Sequence, residues 1–135
     1  MPFCDITIVP VPADRKGAYL RFAERMAKIY REFGASRVTD FWQDDQASAD
    51  ENFHAEDAMA TYANENLPKF RKLAGAVASE TVVVSITEWP SREARDRGIK
   101  AVVSDPRIQA TMTEEPIFDG GKVIAGGFTV ELDIV

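Results

Sequence analysis

Residues 118–128 read F-D-G-G-K-V-I-A-G-G-F, two glycine pairs around a short apolar run. As a phosphate-cradling loop, the stretch would need a strand before the glycines, a helix after them and, in the P-loop form, Gly-Lys-Ser/Thr. Lys122 follows a glycine, but Val123 stands where the hydroxyl belongs, and the residues beyond it have strand composition. The stretch is therefore predicted to be a turn at Asp119-Gly120-Gly121 that opens a final strand over Lys122–Ile134. Gly126-Gly127 then marks a bulge or a close backbone approach inside that strand.

Working back from this strand, Thr81 to Trp89 is nearly all β-formers, and Pro90 stops it. Ser91 is placed to cap a helix running through Val103, and Asp105-Pro106 opens a further short turn. Near the start, Phe3 to Val9 alternates and is predicted to end at Pro10 and Pro12. From Asp14 to Phe33 the period becomes helical, with Tyr19, Phe22, Met26, Ile29, Tyr30 and Phe33 on one stripe and Gly34 at its C-terminal end. Ser36 to Gln43 is a second strand. Asp44 to Ser79 is least regular, with a helix expected over Ala55–Asn64 and a turn over Pro68–Leu73. The order is β-α-β-(insertion)-β-α-β, which predicts an α+β, ferredoxin-like antiparallel sheet with its helices on one face. Residues 1–135 are read as a single domain carrying an inserted segment at about 44–79.

Composition narrows the function classes. The chain has 135 residues, is 45% hydrophobic and 28% charged, and carries a formal net charge of −6. That charge argues against nucleic-acid and anionic-membrane partners, which need clustered Lys and Arg. A single cysteine, Cys4, rules out an internal disulfide, and no apolar run reaches membrane-spanning length, so a cytoplasmic protein is expected. The sole histidine, His54, excludes multi-histidine zinc or iron sites. Glu51, Glu56 and Asp57 beside it read as a solvated acidic loop, so neither a metal nor a cofactor is expected.

Strand parity suggests how the sheet is used. Cys4, Ile6 and Ile8 share one face with Val82, Val84 and Ile86; Phe3, Asp5, Thr7 and Val9 share the other with Val83, Ser85, Thr87 and Trp89. The first face is aliphatic and is expected to receive the helices. The second mixes polar and aromatic groups, and is expected to meet its counterpart in a two-fold homodimer. Thr7, Ser85, Thr87, Trp42 and Trp89 are then the ligand-pocket candidates. Asp5 and Glu131 are weak catalytic candidates, because two carboxylates on neighbouring strands in a poorly solvated interior would raise one pKa toward neutrality. The competing reading pairs Asp5 with a cation and leaves Glu131 in water.

Several stretches resemble the YbaA-like bacterial proteins: F-C-D-I-T-I-V-P-V-P at 3–12, Y-R-E-F-G-A at 30–35, E-T-V-V-V-S-I-T-E-W-P-S-R at 80–92, D-P-R-I at 105–108 and the 118–128 stretch itself. The likeness covers most of the chain outside Asp44 to about Gly75. It implies a dimeric α/β barrel of the ferredoxin-like superfamily, but no agreed reaction. That superfamily holds cofactor-independent monooxygenases, muconolactone isomerase-like enzymes, haem-binding proteins and ligand-sensing modules, and fold does not choose among them. No Ser-His-Asp or Cys-His arrangement is present to indicate catalysis. The reading is a small-molecule-binding domain; the alternative is a cofactor-independent monooxygenase or isomerase working in the barrel interior. Segment 44–79 is expected to cover one mouth of the pocket.

Overall fold

The computed structural model describes residues 1–44 and 68–135. β1 (Phe3–Pro12) leads through a 3-10 turn into α1 (Lys16–Glu32), which is followed by β2 (Arg37–Trp42). α2 (Phe70–Ala74) precedes β3 (Glu80–Trp89); α3 (Arg92–Ser104), α4 (Pro106–Thr111) and β4 (Ile124–Thr129) complete the order. The four strands form one sheet in the order β2-β3-β1-β4, with every pairing antiparallel, which is the ferredoxin-like arrangement. Local signals act as the sequence suggests. Ser91 accepts a hydrogen bond from the Ala94 amide at 3.0 Å, Asp105 caps Pro106–Thr111, and Gly34 leaves α1 with φ +109°.

The helices lie on the opposite face from the one expected. Tyr19 of α1 donates to Asp40, α3 reaches Asp5 through Arg95, and Tyr19 clusters with Val9, Val11 and Val83. All of these strand residues belong to the mixed face. A Cβ at Gly98 of α3 would collide with the buried Trp89 ring and come within 2.8 Å of the Phe33 carbonyl, so α3 sits tightly there. The aliphatic face is the open one over most of its area, although Pro10 and Val82 at one end of it are buried. Phe41, Ile124 and Phe128 on it are 49%, 40% and 51% exposed, and Cys4, Ile6, Ile8, Val84 and Ile86 are only half-buried. The expected homodimer contact through the mixed faces is therefore blocked by each subunit's own helices. A polar face suits this position because the helices bring hydroxyl and guanidinium partners to its carboxylates.

Two strand boundaries also differ from expectation. β1 continues through Pro10 and Pro12. Val82, opposite Pro10, gives its carbonyl to the Gln43 amide on the β2 side, so the Pro10–Val82 pair needs no hydrogen bond between its members. The side of Pro10 that lacks an N–H faces past the end of β4, whose pairing stops at Ile8↔Ile124. β4, for its part, ends at Thr129 rather than running to Ile134, because β1 begins at Phe3 and the last link is Val130 N–H to the Pro2 carbonyl. Beyond it Leu132 and Ile134 are exposed. Gly126 and Gly127 pair in unbroken register with Ile6 and Asp5, so they mark close approach and not a bulge: a Cβ at Gly127 would lie 2.6 Å from the Phe3 ring.

Candidate functional site

Between α1, α3 and the mixed face lies a cavity of about 500 Å³. Its floor is two adjacent rungs of the sheet. One runs Ala125–Thr7–Ser85–Asp40 across β4, β1, β3 and β2; the other runs Gly127–Asp5–Thr87–Val38. Period-2 alternation puts all of these side chains on one side. Its roof comes from the apolar stripe of α1, with Tyr19, Phe22, Met26 and Tyr30, joined by Ile99 of α3 and Phe118 before β4. The Phe118 ring stands edge-on to Tyr19 and Phe22 at centroid separations of 6.0 and 5.9 Å, a geometry aromatic pairs favour.

Two polar clusters interrupt this lining. At one, the Tyr19 hydroxyl donates to Asp40 Oδ2 at 2.8 Å, with the Ser85 hydroxyl beside it. Burial first, and then the Asp40 carboxylate, push the Tyr19 pKa well above the ordinary phenol value, so this group stays protonated. At the other, Arg95 Nε lies 3.1 and 3.0 Å from the two oxygens of Asp5, Nη2 lies 3.0 Å from Oδ1, and Trp89 Nε1 donates to Oδ2 at 3.1 Å. Burial, with the Asp5 charge second, also raises the Tyr30 hydroxyl. Tyr30 in turn packs edge-on against Trp89, their centroids 6.4 Å apart. Among the described residues no three His, Cys, Asp or Glu side chains converge as a metal site would require, and no helix is long and apolar enough to cross a membrane.

Residues 2–120 match the family described as protein of unknown function (DUF1428). The chain belongs to this family. It is 35% identical over 133 residues to the uncharacterized protein YbaA of Escherichia coli K12, covering 98% of this chain and 99% of that one. The match therefore also runs through the 44–75 stretch, which the sequence reading set apart. Among solved structures, a variant of SnoaB, a cofactor-independent oxygenase from Streptomyces nogalater, superposes with a TM-score of 0.54 at 14% identity, over 98% of this chain and 96% of SnoaB. A dimeric ferredoxin-like protein from an uncultured marine organism gives 0.56 at 10% identity, over 98% of each chain. At these identities the likeness shows the fold.

The structure sorts the candidate residues. Thr7, Ser85 and Thr87 line the cavity. Trp89 lies beneath it as a buried donor to Asp5, and Trp42 packs against Tyr19 and under Lys16, so both tryptophans are core. Asp5 and Glu131 are not brought together. Asp5 faces Gly127 across β1–β4, while Glu131 lies beyond the end of β4 and accepts from Thr129 in solvent. His54, Glu51, Glu56, Asp57 and the helix expected over Ala55–Asn64 fall outside the described residues, as does most of the expected cover. Sequence reasoning passed over Tyr19, Asp40 and Arg95. Asp40 carried a signal, since it is a charge in the middle of the strand R-V-T-D-F-W.

Proposed function

We propose that the protein is a homodimeric small-molecule-binding protein. Each subunit holds its ligand in the cavity between α1, α3 and the mixed sheet face, and two subunits meet through their aliphatic faces. The cavity itself carries this reading: it falls within the usual range of ligand sites, about 300–1,000 Å³, and is mostly apolar with a few convergent polar groups. The dimer is supported by the uncovered apolar face and by the dimeric protein among the structural neighbours. Residues 1–135 work as one ferredoxin-like unit in this proposal. Asp5, the weak catalytic candidate for the oxygenase or isomerase alternative, is held by Arg95 through both its oxygens.

The test is a thermal-shift screen with neutral two-ring aromatics on the wild type and on Thr7→Trp, which fills the cavity floor. A ligand at a hundredfold its Kd stabilises by about 2.7 kcal/mol, a readily measured shift. The wild type should respond, and Thr7→Trp should not, while still scattering light as a dimer. Equal responses, or none from the wild type, would refute the binding reading. Oxygen consumption or product formation with the same compounds would replace it with the enzymatic one.

A further inference from the structure

We infer that the cavity selects aromatic ligands that carry a hydroxyl or amino donor and no acid group, which deepens the binding reading just proposed and rests on it. Among the described residues, three charged side chains line the cavity: Asp5, Asp40 and Arg95. The one cation is already engaged. Arg95 gives Nε and Nη2 to Asp5, and Nη1 to Asp96 at 3.1 Å. A carboxylate or phosphate entering the cavity thus finds the guanidinium charge already paired with Asp5 and Asp96, and meets Asp40 as a like charge.

The hydrogen-bonding capacity at the other cluster is accepting. The Tyr19 proton is given to Asp40, so the phenol oxygen can only accept from a ligand. The Asp40 carboxylate takes that one proton and has lone pairs to spare, while the Ser85 hydroxyl on the same rung gives its proton toward the Tyr19 oxygen and Thr7 can either donate or accept. The surplus of acceptors calls for a ligand that donates. The floor and roof around them, with Phe22, Phe118 and Met26, call for a flat apolar body.

The experiment is calorimetric titration of 2-naphthol and 2-naphthoate, matched in ring size, into wild type and Asp40→Asn at pH 7.5. In the wild type, 2-naphthol should bind at least tenfold more tightly than 2-naphthoate. Asp40→Asn should shrink that ratio at least fivefold, chiefly by improving 2-naphthoate. The wild-type ratio stands as a test even if the variant fails to fold. Two ligands binding alike, or 2-naphthoate binding more tightly, would overturn the donor selectivity and leave the binding reading intact. Binding of neither would overturn both.

Discussion

The two faces of the sheet differ in a way that inverts a familiar rule. The face bearing Asp5, Thr7, Ser85, Thr87 and Asp40 is covered by helices, while the face bearing Ile6, Ile8, Val84 and Ile86 is left open with Phe41, Ile124 and Phe128 at its sides. Polar groups tolerate cover when it arrives with partners, and here it does: Arg95 for Asp5, Tyr19 for Asp40. Where the cover leaves space, the unfilled polar floor is the proposed ligand site. The other face is apolar apart from Thr39 and the Arg37–Glu88 pair along one end, and in the proposed dimer it packs on a second copy of itself. The face that looks more like an interior is thus the one proposed to meet a partner.

The largest effect should come from charging the open face. Ile86→Glu would place a carboxylate at the centre of the proposed dimer contact, and an unpaired buried charge costs several kcal/mol. Light scattering should show the chain mass in place of twice that mass, with an unchanged circular dichroism spectrum. A persistent dimer would break the assignment of the two faces. On the covered face, Gly98→Ala should destabilise by about 1–3 kcal/mol, because the atoms in the way are the Trp89 ring and a backbone carbonyl. Unchanged thermal stability would mean that α3 does not pack on Trp89 in this way.

Much of this architecture was legible in the residues. The ferredoxin-like order follows from the alternation of Phe3–Val9 and Thr81–Trp89, the helical stripe of α1 and the Ser91 cap, all of which are local signals. Which face the helices choose is not local. It depends on the inner ends of Tyr19, which in sequence reads as one more apolar position of the stripe, and of Arg95. Thr7, Ser85 and Thr87 were found because parity alone places them together. Asp5 and Glu131 share parity too, but the register separates them: Asp5 pairs with Gly127 and Phe3 with Thr129, so Glu131 falls past the start of β1, four residues along the strand from the position opposite Asp5. The prolines of β1 misled for a related reason: a missing N–H matters only on the side where a neighbouring strand exists.

A smaller effect sharpens the cavity end of the comparison. Tyr19→Phe removes the hydrogen bond to Asp40 and should cost about 1 kcal/mol at neutral pH. Its pH signature has a definite sign. The folded-state pKa of Tyr19 is raised above its ordinary 10.0, so its contribution is full below that pH and is lost as pH rises through it. Denaturant melts from pH 8 to 11 should therefore show a shallower alkaline decline for Tyr19→Phe than for wild type. Part of the decline should survive through Tyr30, which is raised in the same direction. Parallel profiles would show that Tyr19 is not held protonated against Asp40.

The most direct test of the central claim, that the covered polar face binds and the open aliphatic face joins subunits, is a methyl-resolved nuclear Overhauser experiment with 2-naphthol. Ile99, Val38 and Val123 line the cavity, whereas Ile6, Ile8 and Ile86 lie on the other side of the same sheet. Contacts from the ligand protons to the first three methyl groups and none to the second three are the predicted result. Contacts to Ile6, Ile8 or Ile86 without any to Ile99 would contradict it.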